Sequence, residues 1–128
     1  MDDHQHHENL IDGIANQFAQ ILDTSDQGVY IYLDDTHKVC NEKFAKLLGY
    51  DSPKEWAKIT DSFPQTFVTE SSQNTLVSAY QEAIEKCIGS ISNISWKQKD
   101  GSTVESKVIL VPVAFDNHIF ALHFVLPK

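Results

Sequence analysis

The last third of the chain constrains the fold most. Three strand-like segments follow one another there with only short turns between them: "ISNISWKQ" (91–98), "TVESKVILVPV" (103–113) and "HIFALHFVL" (118–126). They are rich in β-branched and aromatic residues, and their connections, "KDGS" and "FDN", are turns that join antiparallel neighbours. Upstream, "GVYIYL" (28–33) is a strand with apolar side chains on both faces, Val29, Ile31 and Leu33 on one and Tyr30 and Tyr32 on the other. Such a strand requires cover on both sides. "DDTH" then turns the chain and "KVC" returns it as a second strand, completing a hairpin.

Helices fill the rest. Residues 8–23 place Leu10, Ile11, Ile14, Phe18, Ile21 and Leu22 on one face. Within it Ile11, Ile14, Phe18 and Ile21 form a two-heptad seam, which suits a partner helix as well as the chain's own core. Gly13 weakens this helix slightly. Asn41 is an N-cap for "EKFAKLL" and Gly49 its left-handed stop. Ser52, Pro53 and Glu55 spell a capping box for a second short helix. Residues 58–68 read as irregular, interrupted by Pro64. A long helix runs from about Glu70 to Cys87, its buried face marked by Leu76, Val77, Tyr80, Ala83, Ile84 and Cys87. The order is helix, two strands, short helices, a long helix and three strands. This is an α+β class with one antiparallel sheet. Residues 1–8 read as a disordered polar tail, 9–24 as the amphipathic helix and 25–128 as one domain.

Charge narrows the function classes. The net charge is −8 and all ten basic residues are lysines. Without Arg there is no guanidinium to grip phosphate or guanine edges, so a nucleic-acid partner is not expected. A neutral, aromatic or cationic ligand fits better. No apolar run approaches the ~20 residues of a membrane span, and the start "MDDHQHHENL" is not a signal peptide; a cytoplasmic protein is expected. Cys40 and Cys87 have no metal or redox spacing and read as small buried hydrophobes. His4, His6 and His7 suit a frayed terminus, a loose metal binder or a cloning remnant, and no metal site is assigned. No phosphate loop and no catalytic set is seen, so an enzyme is not expected.

The segments "GVYIYLDDTHKVCNEKFAKLLGY" and "WKQKDGSTVESKV", separated by a long helix, resemble the PAS family of sensory domains over residues 25–126. The resemblance implies a five-stranded antiparallel sheet in the order 2-1-5-4-3, with short helices and one long helix across one face and a ligand space between. It implies an inward-facing set of Val29, Ile31, Leu33, Cys40, Phe44, Leu48, Trp56, Leu76, Tyr80 and Ile84, joined by Trp96, Leu110, Phe120 and Leu122. Tyr30 and Tyr32 then face outward with Ile11, Ile14, Phe18 and Ile21, a surface suited to a homodimer. His123 faces outward too on this alternation.

The chain departs from the family's cofactor patterns. "TESSQNTL" lacks the Cys of covalent flavin binders, and residues 70–87 lack the His common in haem binders. The cofactor is left unknown. "HFVLPK" lacks the Asp-x-Thr signature that leads to a kinase, although a histidine kinase remains a natural partner. The expected function is a sensor for a small, mostly apolar ligand, signalling through the sheet face and N-terminal helix. The alternatives are a ligandless homodimerisation or docking domain and an isomerase-like enzyme. The last would need an inward acid or His, with His123 the best candidate.

Overall fold

Hairpin-length connections and one long excursion decide the sheet. In a computed structural model describing residues 3–128, β1 (Gly28–Asp34), β2 (His37–Cys40), β3 (Ser90–Lys97), β4 (Thr103–Phe115) and β5 (His118–Pro127) form one antiparallel sheet in the order β2-β1-β5-β4-β3. Asp116 and Asn117 close β4–β5 with both φ angles positive, at 50° and 63°, the backbone twist a tight hairpin requires.

Between β2 and β3 the chain leaves the sheet and roofs one face with α3 (Glu42–Leu47), α4 (Pro53–Ala57), α5 (Phe63–Phe67) and α6 (Glu70–Lys86). Asn41 makes the exit. Its Oδ1 accepts from Phe44 N–H at 3.0 Å as the helix cap and from Val29 N–H at 2.9 Å. Its Nδ2 donates to the Gln27 carbonyl at 2.9 Å. One side chain thus ties α3 to the start of β1. Gly49 (φ 87°) ends the α3 excursion, and Ser52 Oγ caps α4 by accepting from Glu55 N–H at 3.1 Å. The stretch expected to be irregular contains α5 instead: Pro64 lies in its first turn, where a missing N–H is harmless. Lys38 is buried, and its Nζ donates to the carbonyls of Asp35 and Ala57 at 2.7 and 3.4 Å and to that of Ile59. It therefore caps the C-terminal end of α4 from β2. Burial lowers its pKa, outweighing Asp35 and Asp34. Replacing Lys38 with Met should cost about 1–2 kcal/mol, because two or more carbonyls lose a charged donor; urea denaturation reads this directly, and an unchanged midpoint would refute it.

Ahead of the sheet, α1 (Asp3–Gln17) and α2 (Ala19–Thr24) cover the opposite face. Residues 3–8, expected as a disordered tail, are the first turns of α1; residues 1 and 2 lie outside the described part. The helix expected as one piece bends at Phe18 (φ −104°, ψ 19°), whose N–H still bonds Ile14 O at 3.0 Å. Leu10, Ile11 and Ile14 are buried on Val29, Ile31, Phe120 and Leu122, at roughly 1.5–3 kcal/mol for each large side chain. A Cβ at Gly13 would stand 2.7 Å from the Phe115 ring, so this glycine permits α1 to approach the β4–β5 hairpin. Gly13→Ala should therefore fail to deliver the ~1 kcal/mol that alanine normally adds to a helix, and a raised Tm would contradict this packing.

The facing of β1 is the reverse of the expectation. Tyr30 and Tyr32 point to the α3–α6 side, while Val29, Ile31 and Leu33 lie under α1 with Phe120 and Leu122. A strand apolar on both faces carries no internal mark of which side meets which layer. Tyr30 (1% exposed) and Tyr32 are thus not on an outer dimer surface, and Ile11 and Ile14 are occupied within the protein's own fold. Phe18 and Ile21, at the rim, are half-buried. Cys87, expected inside, is exposed at the left-handed end of α6 (φ 55°).

Candidate ligand cavity

Large rings fill most of the space between sheet and roof. Phe44 stands edge-on to Trp56 and Trp96 with centroids 5.3 Å away in each case, and Tyr30 stacks on Phe44 at 4.7 Å. Cys40, Leu48 and Phe67 complete this cluster. Cys40 is sealed there, and burial pushes its thiol up to about 12, so it is no nucleophile at neutral pH. The buried Trp96 indole donates to Ser106 Oγ at 2.7 Å, and that hydroxyl donates to Ile94 O at 3.0 Å.

A cavity of about 270 Å³ remains to one side, between β1, β5, α5 and α6. Tyr30, Tyr32, Phe63, Leu76, Tyr80 and His123 form most of its wall; Pro64, Val77 and the exposed Gln81 complete it on the solvent side. The volume lies just under the ~300–1,000 Å³ usual for small-molecule sites. β1–β5 pairing sets Tyr30 opposite His123, and the two rings stack at 3.9 Å and 8°. Ala121 opposite Tyr32 is small.

The polar tips of the wall are neutral at physiological pH. Burial drives His123 down to about 3, so its imidazole is uncharged. Its Nδ1 is buried with no hydrogen-bond partner among the described residues. Tyr80 is pushed up to about 12, and Tyr30 and Tyr32 are raised, in each case mainly by burial. Tyr32 donates its phenol to Asp35 Oδ1 at 2.9 Å, and the same oxygen accepts from Phe63 N–H at 2.9 Å. Asp35 therefore fixes the hairpin turn to the cavity wall. The arrangement can hold a guest with an apolar body and a polar atom or two.

Of the residues expected to line a site, Leu76 and Tyr80 do so. Cys40, Phe44, Leu48, Trp56 and Trp96 sit in the filled core, and Ile84 and Leu110 pack around Ala83 and Ala121. Ile31, Leu33 and Phe120 are on the opposite face. The expected outward His123 is inward, as its pairing with Tyr30 demands. Phe63 and Pro64 were hidden in a stretch with no periodicity. Val77 carried a signal, lying on the marked face of α6.

An antiparallel sheet in the order β2-β1-β5-β4-β3, roofed by three short helices and the long α6 with a small cavity between, defines an α+β module with room for a small guest. The sequence profile described as "PAS domain" matches residues 16–81, and the chain belongs to the PAS domain family. Solved structures agree on the fold. The PAS domain of a protein from Colwellia psychrerythraea superposes with a TM-score of 0.68 at 19% identity, covering 90% of this chain and 97% of that one. A sensory box histidine kinase/response regulator from Burkholderia thailandensis gives 0.63 at 11%, covering 87% and 83%. VqmA bound to DPO gives 0.66 at 12%, covering 88% of this chain and 57% of that one. Among curated proteins no match is found. No helix among the described residues is long and apolar enough to cross a membrane.

Proposed function

We propose that this PAS domain senses a small, mostly apolar, uncharged molecule in the cavity beside Tyr30, Tyr32 and His123, and signals through the sheet to the N-terminal helix. The observation that carries this reading is the cavity itself: a mostly apolar wall, formed by Tyr30, Tyr32, Phe63, Leu76 and Tyr80, with the neutral imidazole of His123 set into it. Such a wall favours a guest with an apolar body and few polar atoms. Occupancy would alter the packing of β1 and β5, whose other faces carry α1, and shift the population of docked helix. A cytoplasmic histidine kinase or similar signalling protein is the natural recipient, in line with the kinase neighbour. Proton-transfer catalysis is disfavoured because His123, held at about 3, is far too weak a base at neutral pH.

Native mass spectrometry of freshly purified protein tests the reading. A co-purifying small molecule is expected in the wild type and absent from Val77→Trp, which fills the solvent side of the cavity. Retention by both proteins, or an empty wild type that no small neutral heteroaromatic stabilises in a thermal-shift screen, would refute it.

A second reading, homodimerisation, draws on the outer sheet face beyond α1. Ile91 is 68% exposed and Val111 37%, and pairing places both on the α1 side. This strip replaces Ile11, Ile14, Tyr30 and Tyr32 as the proposed contact. Ile91→Lys should turn a dimer into a monomer by light scattering; a mass unchanged by it would exclude this strip.

A further inference from the structure

We propose that His4, Glu8 and His37 form a divalent-cation site of the zinc class that fastens the start of α1 to the β1–β2 hairpin. The pairing of β1 with β2 shifts register between Tyr32 and Asp34, which sets Asp34 opposite His37. His37 is 4% exposed and lies beneath the first turns of α1. His4 and Glu8, one turn apart, share a helix face. His37 Nε2 is 3.0 Å from His4 Nδ1 and 3.4 Å from Glu8 Oε2, and all three ligand atoms lie within 4.8 Å of one another. Zinc bonds of ~2.0–2.2 Å in a tetrahedron give ligand–ligand edges of about 3.3–3.5 Å. Two of the three edges, at 3.0 and 3.4 Å, lie within a few tenths of an ångström of those values, and a fourth position is left for water.

The outer shell fits the same assignment. His37 Nδ1 is 2.7 Å from Asp34 Oδ1, and His7 Nδ1 is 2.9 Å from Asp34 Oδ2. A carboxylate on the far ring nitrogen fixes the tautomer that presents a bare Nε2 to a cation, as metal-bound histidines usually require. A second set is His7, Asp34 and His37 through Nδ1; its 2.7 and 2.9 Å contacts fall further below coordination edges than the 3.0 and 3.4 Å of the first set. Binding requires His4 to carry its ring proton on Nε2, so that its Nδ1 presents a lone pair beside the bare Nε2 of His37. The site also has a route to the cavity: Asp34 is followed by Asp35, which holds Tyr32 and Phe63 of its wall.

Titration of chelator-treated full-length protein with zinc chloride by calorimetry tests the proposal, alongside the absorbance of the cobalt(II) form. One cation per chain is expected, with four-coordinate cobalt bands. His4→Ala and Glu8→Gln alter exposed side chains and should each weaken binding at least tenfold. Asp34→Asn should weaken it by about 10–100-fold, whereas His6→Ala should leave it unchanged. Binding that survives both His4→Ala and Glu8→Gln, that is lost in His6→Ala, or that cobalt reports as six-coordinate, would overturn the assignment. So would loss in His7→Ala with full retention in His4→Ala.

Discussion

Asn41→Ala is expected to remove about 3 kcal/mol of stability at pH 7. The side chain is 5% exposed and makes three hydrogen bonds, two of them to backbone N–H groups. Alanine strips the cap from α3, typically about 1 kcal/mol. It also strands the N–H of Val29, a fully buried residue, for roughly 1–3 kcal/mol more. Asn41→Asp separates these terms. It keeps both acceptor contacts, loses only the donor to Gln27 and adds a negative charge at a helix start, where charge of that sign is favourable. A loss near 1 kcal/mol is expected there. Urea denaturation of the three proteins decides the matter: equal losses for both variants would mean that the carbonyl oxygen is not the joint holding strand to helix.

Acid should destabilise the protein well before its carboxylates protonate. In the unfolded chain His123 has the ordinary value near 6.5; burial holds it at about 3 in the fold. Stability is full above pH 6.5. Below it the unfolded chain gains a proton that the folded one refuses, at about 1.4 kcal/mol per pH unit. The loss reaches about 2 kcal/mol at pH 5 and about 3 at pH 4. Asp34 acts elsewhere: burial raises its carboxyl, but hydrogen bonds from His37 and Thr36 outweigh that and lower it, so its contribution is lost only below the ordinary range. His123→Phe retains a ring against Tyr30 and cannot titrate. Its stability should decline far less between pH 6.5 and 4. Parallel curves for wild type and variant would show that the imidazole is not the group refused by the core.

The same residue shows where reading a sequence stops. The alternation of "HIFALHFVL" told which residues share a face with His123, and that pattern holds in β5, where Ala121, His123 and Val125 are inward and Phe120 and Leu122 outward. It did not tell which face was which. Val29 and Ile31 against Tyr30 and Tyr32 pose the same symmetric choice. The cavity was hard to foresee for a related reason: Trp56, Trp96 and Phe44 are natural candidates for lining a pocket, yet their rings interlock and fill the centre. The empty volume falls where α5, unmarked by periodicity, meets α6.

Local chemistry did settle much. The caps at Asn41 and Ser52, the stop at Gly49, the turns between the last three strands and the long helix from Glu70 are properties of a few adjacent residues, and each stands where its residue type requires. Element order and the antiparallel sheet follow from them. Tertiary structure alone decided the orientation of each two-faced strand, the burial of α1 on its own sheet and the meeting of His4 with His37. Those outcomes depend on which surfaces remain uncovered once distant segments come together, a competition among whole layers that no short window of residues contains.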